Sequence, residues 1–270
     1  MNSWLHPRFL PPALPIVSTV HHAIHHPDAI RAKRALQRRY HAHWVAAMER
    51  RNLARAAAVV AVSAHAADAA APVVGSKRVR IIYNGVDLGG FRPPAISTRR
   101  PGDPFRLLYV GKWTRAKGAD VLPMLMASLG ERFSLSFTGP HGGLRGLPSN
   151  MHDLGRLSPD QVAEAMRQAD AFVFPSRVEG FGLVTIEAMA SGLVPLAANN
   201  CASPEIIEHG RSGFLCDVND IETFAAPIRT LAQDAISHAA MAANARSRVE
   251  QAFSIDVMVD RYLSTYEEVA

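Results

Sequence analysis

Short apolar runs alternate with helix-like stretches along the whole chain. Eight runs are rich in Val, Ile, Leu and Phe, and several lack the alternation of a half-exposed strand, which is typical of strands buried on both faces of a parallel sheet. They span residues 15–21, 58–63, 79–83, 106–111, 134–139, 171–176, 193–198 and 212–217. Strands separated by helices predict an α/β fold built from β-α-β units.

A long basic helix is predicted over residues 28–56. Within it an apolar side chain recurs every four residues, at Leu36, Tyr40, Trp44 and Met48. This pattern predicts one apolar stripe of the kind that faces a core. Most basic residues lie off this stripe and are expected to face solvent: Arg31, Lys33, Arg34, Arg38 and Arg39.

Proline and glycine divide the chain. The stretch between Asp87 and Pro104 has no periodicity and several Pro and Gly residues, as expected for a linker. We therefore predict a first domain over 1–95, a linker over 96–104 and a second domain over 105–252. A last helix, within 253–270, is expected to pack back toward the first domain.

Charge is distributed unevenly. Residues 1–100 hold 15 Lys and Arg against four Asp and Glu, a net +11, whereas the remaining 170 residues hold 14 against 20, a net −6. A cationic region of this kind predicts an anionic partner, and its alternative is a charged helix face that only promotes solubility. Because no aromatic-interleaved or Gly-rich RNA signature accompanies the charge, we expect an anionic membrane rather than nucleic acid.

The composition also bears on the compartment. No run of eighteen apolar residues predicts a membrane span, and the first residues lack the apolar core of a secretion signal. The two cysteines, Cys201 and Cys216, have no metal-binding spacing. We expect a cytoplasmic protein with reduced thiols, in peripheral contact with the membrane.

One candidate site lies in residues 174–195, FPSRVEGFGLVTIEAMASGLVP. A strand ends there, a Gly-containing turn carries Glu179, and a helix beginning near Leu183 carries Glu187. In an open α/β sheet ligands bind at the carboxyl ends of strands, where free backbone N–H groups around Gly182 and Leu183 can hold a diphosphate. A nearby carboxylate can accept two hydrogen bonds from a vicinal diol. The alternative is an ordinary strand–turn–helix with two surface glutamates.

A second candidate site is the turn in residues 107–121. Lys112, Arg115 and Lys117 cluster after a strand, where cations can neutralise a phosphate although no Walker loop is present. The alternative is a set of solvated turn cations. Upstream, His21, His22, His25 and His26 have the spacing of a metal cluster, but no carboxylate or cysteine completes it. A single histidine at a strand end facing a crevice is the favoured interpretation.

Five motifs in order resemble a known family. They are NGVD with F-x-P, VG-K-x-x-x-x-KG, LG-R-L-S through FPS, E-G-F-G-L-x-x-x-E-A-M-A-x-G-x-x-P, and P-E-I-I-x-x-G-x-x-G-F-L. Together they resemble the retaining glycosyltransferases of GT-B fold usually called family 4, from about Pro15 onward. The resemblance implies two Rossmann-like doubly wound domains with a nucleoside-diphosphate sugar held in the cleft, mainly by the second, and no cofactor or metal.

The resemblance also implies roles for individual residues. Lys117 matches the lysine on the donor diphosphate, and Lys112 stands where the family more often has arginine. Glu187 matches the ribose-binding carboxylate, whereas Glu179 and His21 match residues near the transferred sugar and are the catalytic candidates. The remaining donor-binding positions are backbone contacts to the sugar and phosphate at Gly180, Phe181, Gly182 and Leu183, and to the base at Gly155 and Leu157.

The sequence departs from the family in its first domain. The family begins with a Gly-rich loop after its first strand, whereas this chain opens where the fourth strand would be, so we expect an incomplete N-terminal domain. A fragment is the favoured explanation. The alternatives are a split enzyme whose other half-domain is a separate chain, and a decayed copy.

We expect a glycosyltransferase that moves a sugar with retention to a glycan or a lipid-linked saccharide. The alternatives are a non-catalytic or decayed nucleotide-sugar-binding module and, below it, a GT-B epimerase or phosphorylase.

Overall fold

The computed structural model describes residues 14–22, 25, 30, 34–75, 77–95, 99–100, 102–139 and 146–270. It divides into two compact units. The first comprises Met1–Gly85, Val178–Phe181 and Ile255–Ala270, and the second comprises Val86–Arg177 and Gly182–Ser254. The division precedes the predicted linker because the Val86 N–H donates to the Phe253 carbonyl at 2.9 Å, which ties residue 86 to the second unit. Linker residues 96–98 and 101 lie outside the described part.

The described part of the first unit is a parallel three-stranded sheet with helices between its strands. Its elements are β1 (Val17–Val20), α1 (Ala35–Tyr40), a π-helical turn (His41–Val45), α2 (Ala46–Arg55), β2 (Ala58–Ala61), α3 (Ala64–Val74), β3 (Val79–Ile81) and, at the end of the chain, α10 (Ile255–Val269). Strand β2 lies in the centre, with Val17 opposite Ala58 and Val59 opposite Val79.

Helix α10 closes the core of the first unit. Its Met258, Tyr262 and Val269 pack against a buried cluster that includes Val17 and Val60. The Tyr262 and Thr19 hydroxyls are 3.0 Å apart. The last helix is therefore part of the hydrophobic packing of the first sheet.

The basic helix buries a different face from the one that the sequence predicted. Leu36, Tyr40 and Trp44 are 80%, 58% and 61% exposed, so the expectation of a buried stripe is wrong for them. These three side chains lie on the side of the helical segment that faces away from the core. The buried face instead holds Ala46, Glu49 and Leu53. Residues 28, 29 and 31–33 of the predicted helix lie outside the described part.

The second unit contains a parallel six-stranded sheet in the order β6-β5-β4-β7-β8-β9. Its strands are β4 (Phe105–Tyr109), β5 (Phe133–Phe137), β6 (Met151–Asp153), β7 (Ala171–Phe174), β8 (Val194–Ala198) and β9 (Phe214–Cys216). Its helices are α4 (Leu122–Leu129), α5 (Pro159–Gln168), α6 (Leu183–Ala190), α7 (Ser203–Ile206), α8 (Glu222–Gln233) and α9 (Ala235–Ala252). Numbered within this unit, the strand order is that of a doubly wound dinucleotide-binding sheet.

The predicted α/β class is confirmed, and all eight predicted strands are present. The sequence missed β6, because only Met151 of its three residues is buried and no apolar run marks it. No helix in the described stretches is long and apolar enough to cross a membrane.

Candidate functional site

The strand order of the second unit predicts where a ligand crevice lies. The order of connection reverses between β4 and β7, and ligands of open α/β sheets bind at such a switch point, outside the carboxyl ends of the strands. The turn that contains Lys112 and Lys117 follows β4, and residues 175–177 follow β7. Two of the predicted segments therefore meet at the position where this topology favours a ligand.

Tyr109, the last residue of β4, anchors the turn of residues 111–118, which we call the lysine turn. Its side chain is fully buried, and its hydroxyl donates a hydrogen bond of 2.9 Å to the Lys112 carbonyl. The Trp113 ring packs on Phe137 with 4.5 Å between the ring centroids. A buried phenol and an aromatic anchor thus fix the start of the turn.

Gly118 lets the other end of the turn lie directly against the end of β7. It has φ +70°, and a β-carbon at this position would lie 1.9 Å from the Pro175 carbonyl oxygen. Because the left-handed conformation and the lack of space both favour glycine, the Lys-Gly pair of the motif has a steric explanation.

Arg177 joins the two segments by hydrogen bonds. Its backbone N–H donates to the Ala116 carbonyl at 2.9 Å. Its guanidinium donates to the Arg115 carbonyl at 2.8 Å and to the Asp120 carboxylate at 2.6 Å. The lysine turn is therefore held from β4 by Tyr109 and from β7 by Arg177.

The two lysines of the turn differ in their surroundings. Lys112 is exposed, whereas Lys117 is half-buried with its Nζ 5.9 Å from the centre of the Phe174 ring. The Thr114 hydroxyl accepts from the Lys117 N–H at 3.4 Å, which caps the short helical turn Arg115–Lys117. Lys117 is thus the more enclosed cation, and a side chain with less freedom to lose binds a phosphate at a smaller entropic cost.

Helix α6 begins in the same unit with backbone donors available. Gly182 precedes it with φ 103° and contributes no side-chain cap. The first N–H groups of a helix have no acceptor within the helix, and the helix dipole adds partial positive charge there. Leu183, the first helical residue, is 47% exposed, so this end of the helix is accessible to an anion.

Glu187 lies one turn into α6 and is half-buried. Burial raises the pKa of its carboxyl group. Its carboxylate has no hydrogen-bond or ion-pair partner among the described residues. A desolvated acceptor of this kind gains from a ligand that donates hydrogen bonds, such as a vicinal diol.

Gly155 and Leu157 follow β6. Gly155 has φ +65°, and its N–H donates to Asp153 Oδ1 at 2.7 Å, which forms a tight turn. Leu157 lines a groove of about 350 Å³ together with Ser134, Ser136 and Gln161. The segment is thus a tight turn that borders this groove.

The other predicted residues belong to the first unit. Segment Val178–Phe181 lies at the carboxyl ends of all three strands of the first sheet, and each strand end contributes a contact. A β-carbon on Gly180 would lie 2.4 Å from the His21 carbonyl oxygen. The Ser63 hydroxyl donates to the Gly180 carbonyl at 2.8 Å, and the Tyr83 ring stacks on Phe181 at 5.9 Å.

Within this segment Glu179 Oε1 accepts from the Gly180 N–H at 3.2 Å. Partial burial, together with the neighbouring His22, lowers the pKa of His21, which favours a neutral imidazole at pH 7. A neutral histidine can both donate and accept hydrogen bonds, as recognition of a sugar hydroxyl requires.

The closely spaced histidines at 21, 22, 25 and 26 are explained in part by packing within the first unit. His25 pairs with the buried Glu49, so it helps to compensate a carboxylate inside the helix packing. His26 lies outside the described residues. Across the residues that are described, no group of three or more His, Cys, Asp or Glu side chains is arranged to hold a metal ion.

Sequence reasoning missed the residues that hold the site together. Arg177 had no motif to mark it, because its role depends on β4 and β7 being neighbours, whereas the role of Tyr109 depends on a hydrogen bond within its own turn. Ser63 and Tyr83 follow the ends of β2 and β3. Ser63 and Tyr83 end their predicted runs and Arg177 directly follows its own, so a search of these positions would have found three of the four, whereas Tyr109 lies inside its run.

Comparison with solved structures defines the class. The chain superposes on Anabaena HepE in complex with UDP and glucose with a TM-score of 0.76 and 22% identity, over 94% of this chain and 72% of that one. The fold is that of the GT-B glycosyltransferases, which confirms the expected Rossmann-like architecture.

The chain belongs to the glycosyl transferases group 1 family, whose model matches residues 95–248, more than half of its length. The model of glycosyltransferase family 4 matches residues 2–90. These matches confirm the resemblance inferred from the motifs.

Two curated relatives are enzymes with different substrates. D-inositol 3-phosphate glycosyltransferase 1 of Catenulispora acidiphila is 33% identical over 79% of this chain and 58% of its own length. GDP-mannose:cellobiosyl-diphosphopolyprenol alpha-mannosyltransferase of Xanthomonas oryzae pv. oryzae is 28% identical over 83% of this chain and 62% of its own length. The chain thus spans about 60% of the length of these relatives.

Proposed function

We propose that this chain carries the donor-binding part of a glycosyltransferase that moves a hexosyl group from a nucleoside-diphosphate sugar to a glycan or lipid-linked acceptor, with retention. The observation that carries the proposal is the crevice between β4 and β7, where a half-buried Lys117 follows one strand and Arg177 follows the other. Family membership supports the reaction class.

The proposed chemistry is charge stabilisation of a leaving diphosphate. The bond between the anomeric carbon and the phosphate oxygen breaks, and negative charge develops on the leaving diphosphate. The acceptor oxygen bonds to the same face of the sugar while its hydroxyl proton passes to the leaving diphosphate. Lys112, Lys117 and the N-terminus of α6 are proposed to stabilise that charge. They would supply the positive charge that a divalent metal supplies in other enzymes, so we propose metal-independent transfer.

The remaining predicted residues are proposed to bind neutral groups of the donor. The Glu187 carboxylate would accept hydrogen bonds from the ribose diol, and Glu179 and His21 would bind hydroxyls of the sugar. The backbone of Gly155 and Leu157 is proposed to contact the base, and that of Gly180–Leu183 the sugar and phosphate.

A thermal-shift panel of UDP-, GDP- and ADP-sugars tests the donor proposal. A ligand at 100 times its Kd adds about 2.7 kcal/mol of stability. This gain raises Tm by roughly 5 °C or more for a protein of this size. Product analysis of the best donor, with and without EDTA, then tests transfer. Binding without turnover would favour the nucleotide-sugar-binding module, and loss of turnover with EDTA would contradict metal independence.

A further inference from the structure

The helical segment from α1 to α2 has an open amphipathic face. The face consists of six residues that are three or four positions apart, and we call it the basic helical face. These residues are Leu36, Tyr40, Trp44, Met48, Arg51 and Arg55. The first three are large apolar side chains that are more than half exposed. The opposite side of the segment, with Ala46 and Leu53, packs inward.

Cationic charge surrounds this face without acidic compensation. Residues 35–55 contain five arginines, all exposed, and none of the five has an ion-pair partner among the described residues. The one acidic residue in this stretch, Glu49, is 2% exposed and pairs with His25 on the buried side. The arginines therefore present their full charge to solvent.

The face also carries a depression. A groove of about 670 Å³ is lined by Trp44, Ala47 and Met48 on its apolar side and by Arg51 and Arg55 on its cationic side. Apolar and cationic groups thus lie side by side on a segment that is roughly 30 Å long at 1.5 Å per residue.

We propose that the basic helical face docks on an anionic lipid surface, with Leu36, Tyr40 and Trp44 at the boundary between headgroups and acyl chains and the arginines on lipid phosphates. Tyr and Trp favour this boundary because they combine an apolar ring with a polar group. Interfacial helices combine such an apolar face with arginine in the same way. A nucleic acid offers phosphates but no apolar layer in which Leu36 would leave water. This inference does not depend on the proposed activity.

Co-sedimentation with vesicles tests the proposal. The full chain is mixed with vesicles of phosphatidylglycerol and phosphatidylcholine in a 1:3 ratio, or of phosphatidylcholine alone, at low and high salt. We expect binding to the anionic vesicles that weakens steeply with salt.

Two double variants separate charge from apolar insertion. R51Q with R55Q should weaken partitioning about 30-fold, since each arginine near an anionic surface contributes about 1 kcal/mol. L36S with W44S should weaken it at least about tenfold through lost apolar burial. The matched charge control is R132Q with R261Q, which changes two exposed arginines on other helices and loops and should partition like the wild type. Circular dichroism and Tm establish that each variant is folded.

Three outcomes overturn the proposal. The first is equal binding to neutral and anionic vesicles or none to either, and the second is equal weakening by the control pair. The third is that L36S with W44S changes only the oligomeric state measured by light scattering, which would assign the face to a second copy of the chain. Salt-sensitive binding to a DNA duplex with no binding to anionic vesicles would likewise contradict a lipid partner.

Discussion

Replacing Gly118 by alanine tests the packing of the lysine turn. A β-carbon there would lie 1.9 Å from the Pro175 carbonyl oxygen, whereas carbon and oxygen normally approach to about 3.3 Å. Either the turn or the end of β7 must therefore move by about 1.4 Å. The left-handed φ of +70° costs a non-glycine residue about 1–2 kcal/mol. Overpacking adds about 1–3 kcal/mol, so the expected loss of stability is about 2–5 kcal/mol.

Gly210→Ala is the matched control. Gly210 has φ +77° in the same unit, and a β-carbon there meets nothing within 4 Å. This variant should lose only the backbone contribution of about 1–2 kcal/mol. Urea denaturation followed by tryptophan fluorescence measures both variants, and Trp113 in the turn reports the local change.

Gly118→Ala and Gly210→Ala should also differ in nucleotide binding and in sugar transfer. A displacement of about 1 Å in a positioning segment can cost about 10²-fold in rate. Gly118→Ala should therefore bind nucleotide and transfer sugar far less well than Gly210→Ala at a temperature where both are folded. Equal loss of stability in the two variants, with equal nucleotide binding, would refute the close approach of the turn to β7.

Two further predictions concern single side chains. Tyr109→Phe removes the 2.9 Å hydrogen bond to the Lys112 carbonyl and should cost about 0.5–1.5 kcal/mol in urea denaturation, with nucleotide Kd raised by up to about tenfold; an unchanged Kd would show that the phenol does not position the turn. Burial raises the pKa of Glu187, so in the folded state its carboxyl group keeps a proton at pH values somewhat above the ordinary glutamate pKa of about 4.3. The protonated carboxyl therefore favours the folded state at low pH, and this contribution to the free energy of unfolding is lost as the pH rises through the raised pKa. Glu187→Gln should therefore be more stable than the wild type at pH 7 but weaker in nucleotide binding, and parallel stability curves from pH 4 to 8 would contradict the role of burial.

The strands were predictable because parallel, doubly covered strands leave an unmistakable apolar pattern. Runs such as residues 171–176 are apolar at nearly every position, and each became a strand. Strand β6 was not predictable from its own residues, because it is a short edge strand with two exposed positions. The buried face of the basic helix was misjudged because its large apolar side chains lie on the outer side, whereas the buried set, which includes Ala46 and Glu49, follows a mixed spacing of three and four.

The candidate site likewise contains residues that the sequence predicted and residues that it did not. Lys117, Glu179 and Glu187 stand in local motifs and could be read from sequence. Arg177 acts on the turn through the pairing of β4 with β7 and contacts residues that are about 60 positions away in sequence. Such residues emerge only when the strand order is known, since no short-range signal records which strands are neighbours.

The most direct test of the central claim is the effect of Lys117→Ala on transfer from the preferred nucleotide sugar. Removing a preorganised charge from a leaving diphosphate should raise the barrier by about 2–4 kcal/mol. That increase corresponds to a fall in kcat of about 30- to 1,000-fold. Arg132→Ala, which removes an exposed cation outside the crevice, should keep wild-type kcat. Full turnover in folded Lys117→Ala would contradict the assignment of the crevice between β4 and β7 as the diphosphate site.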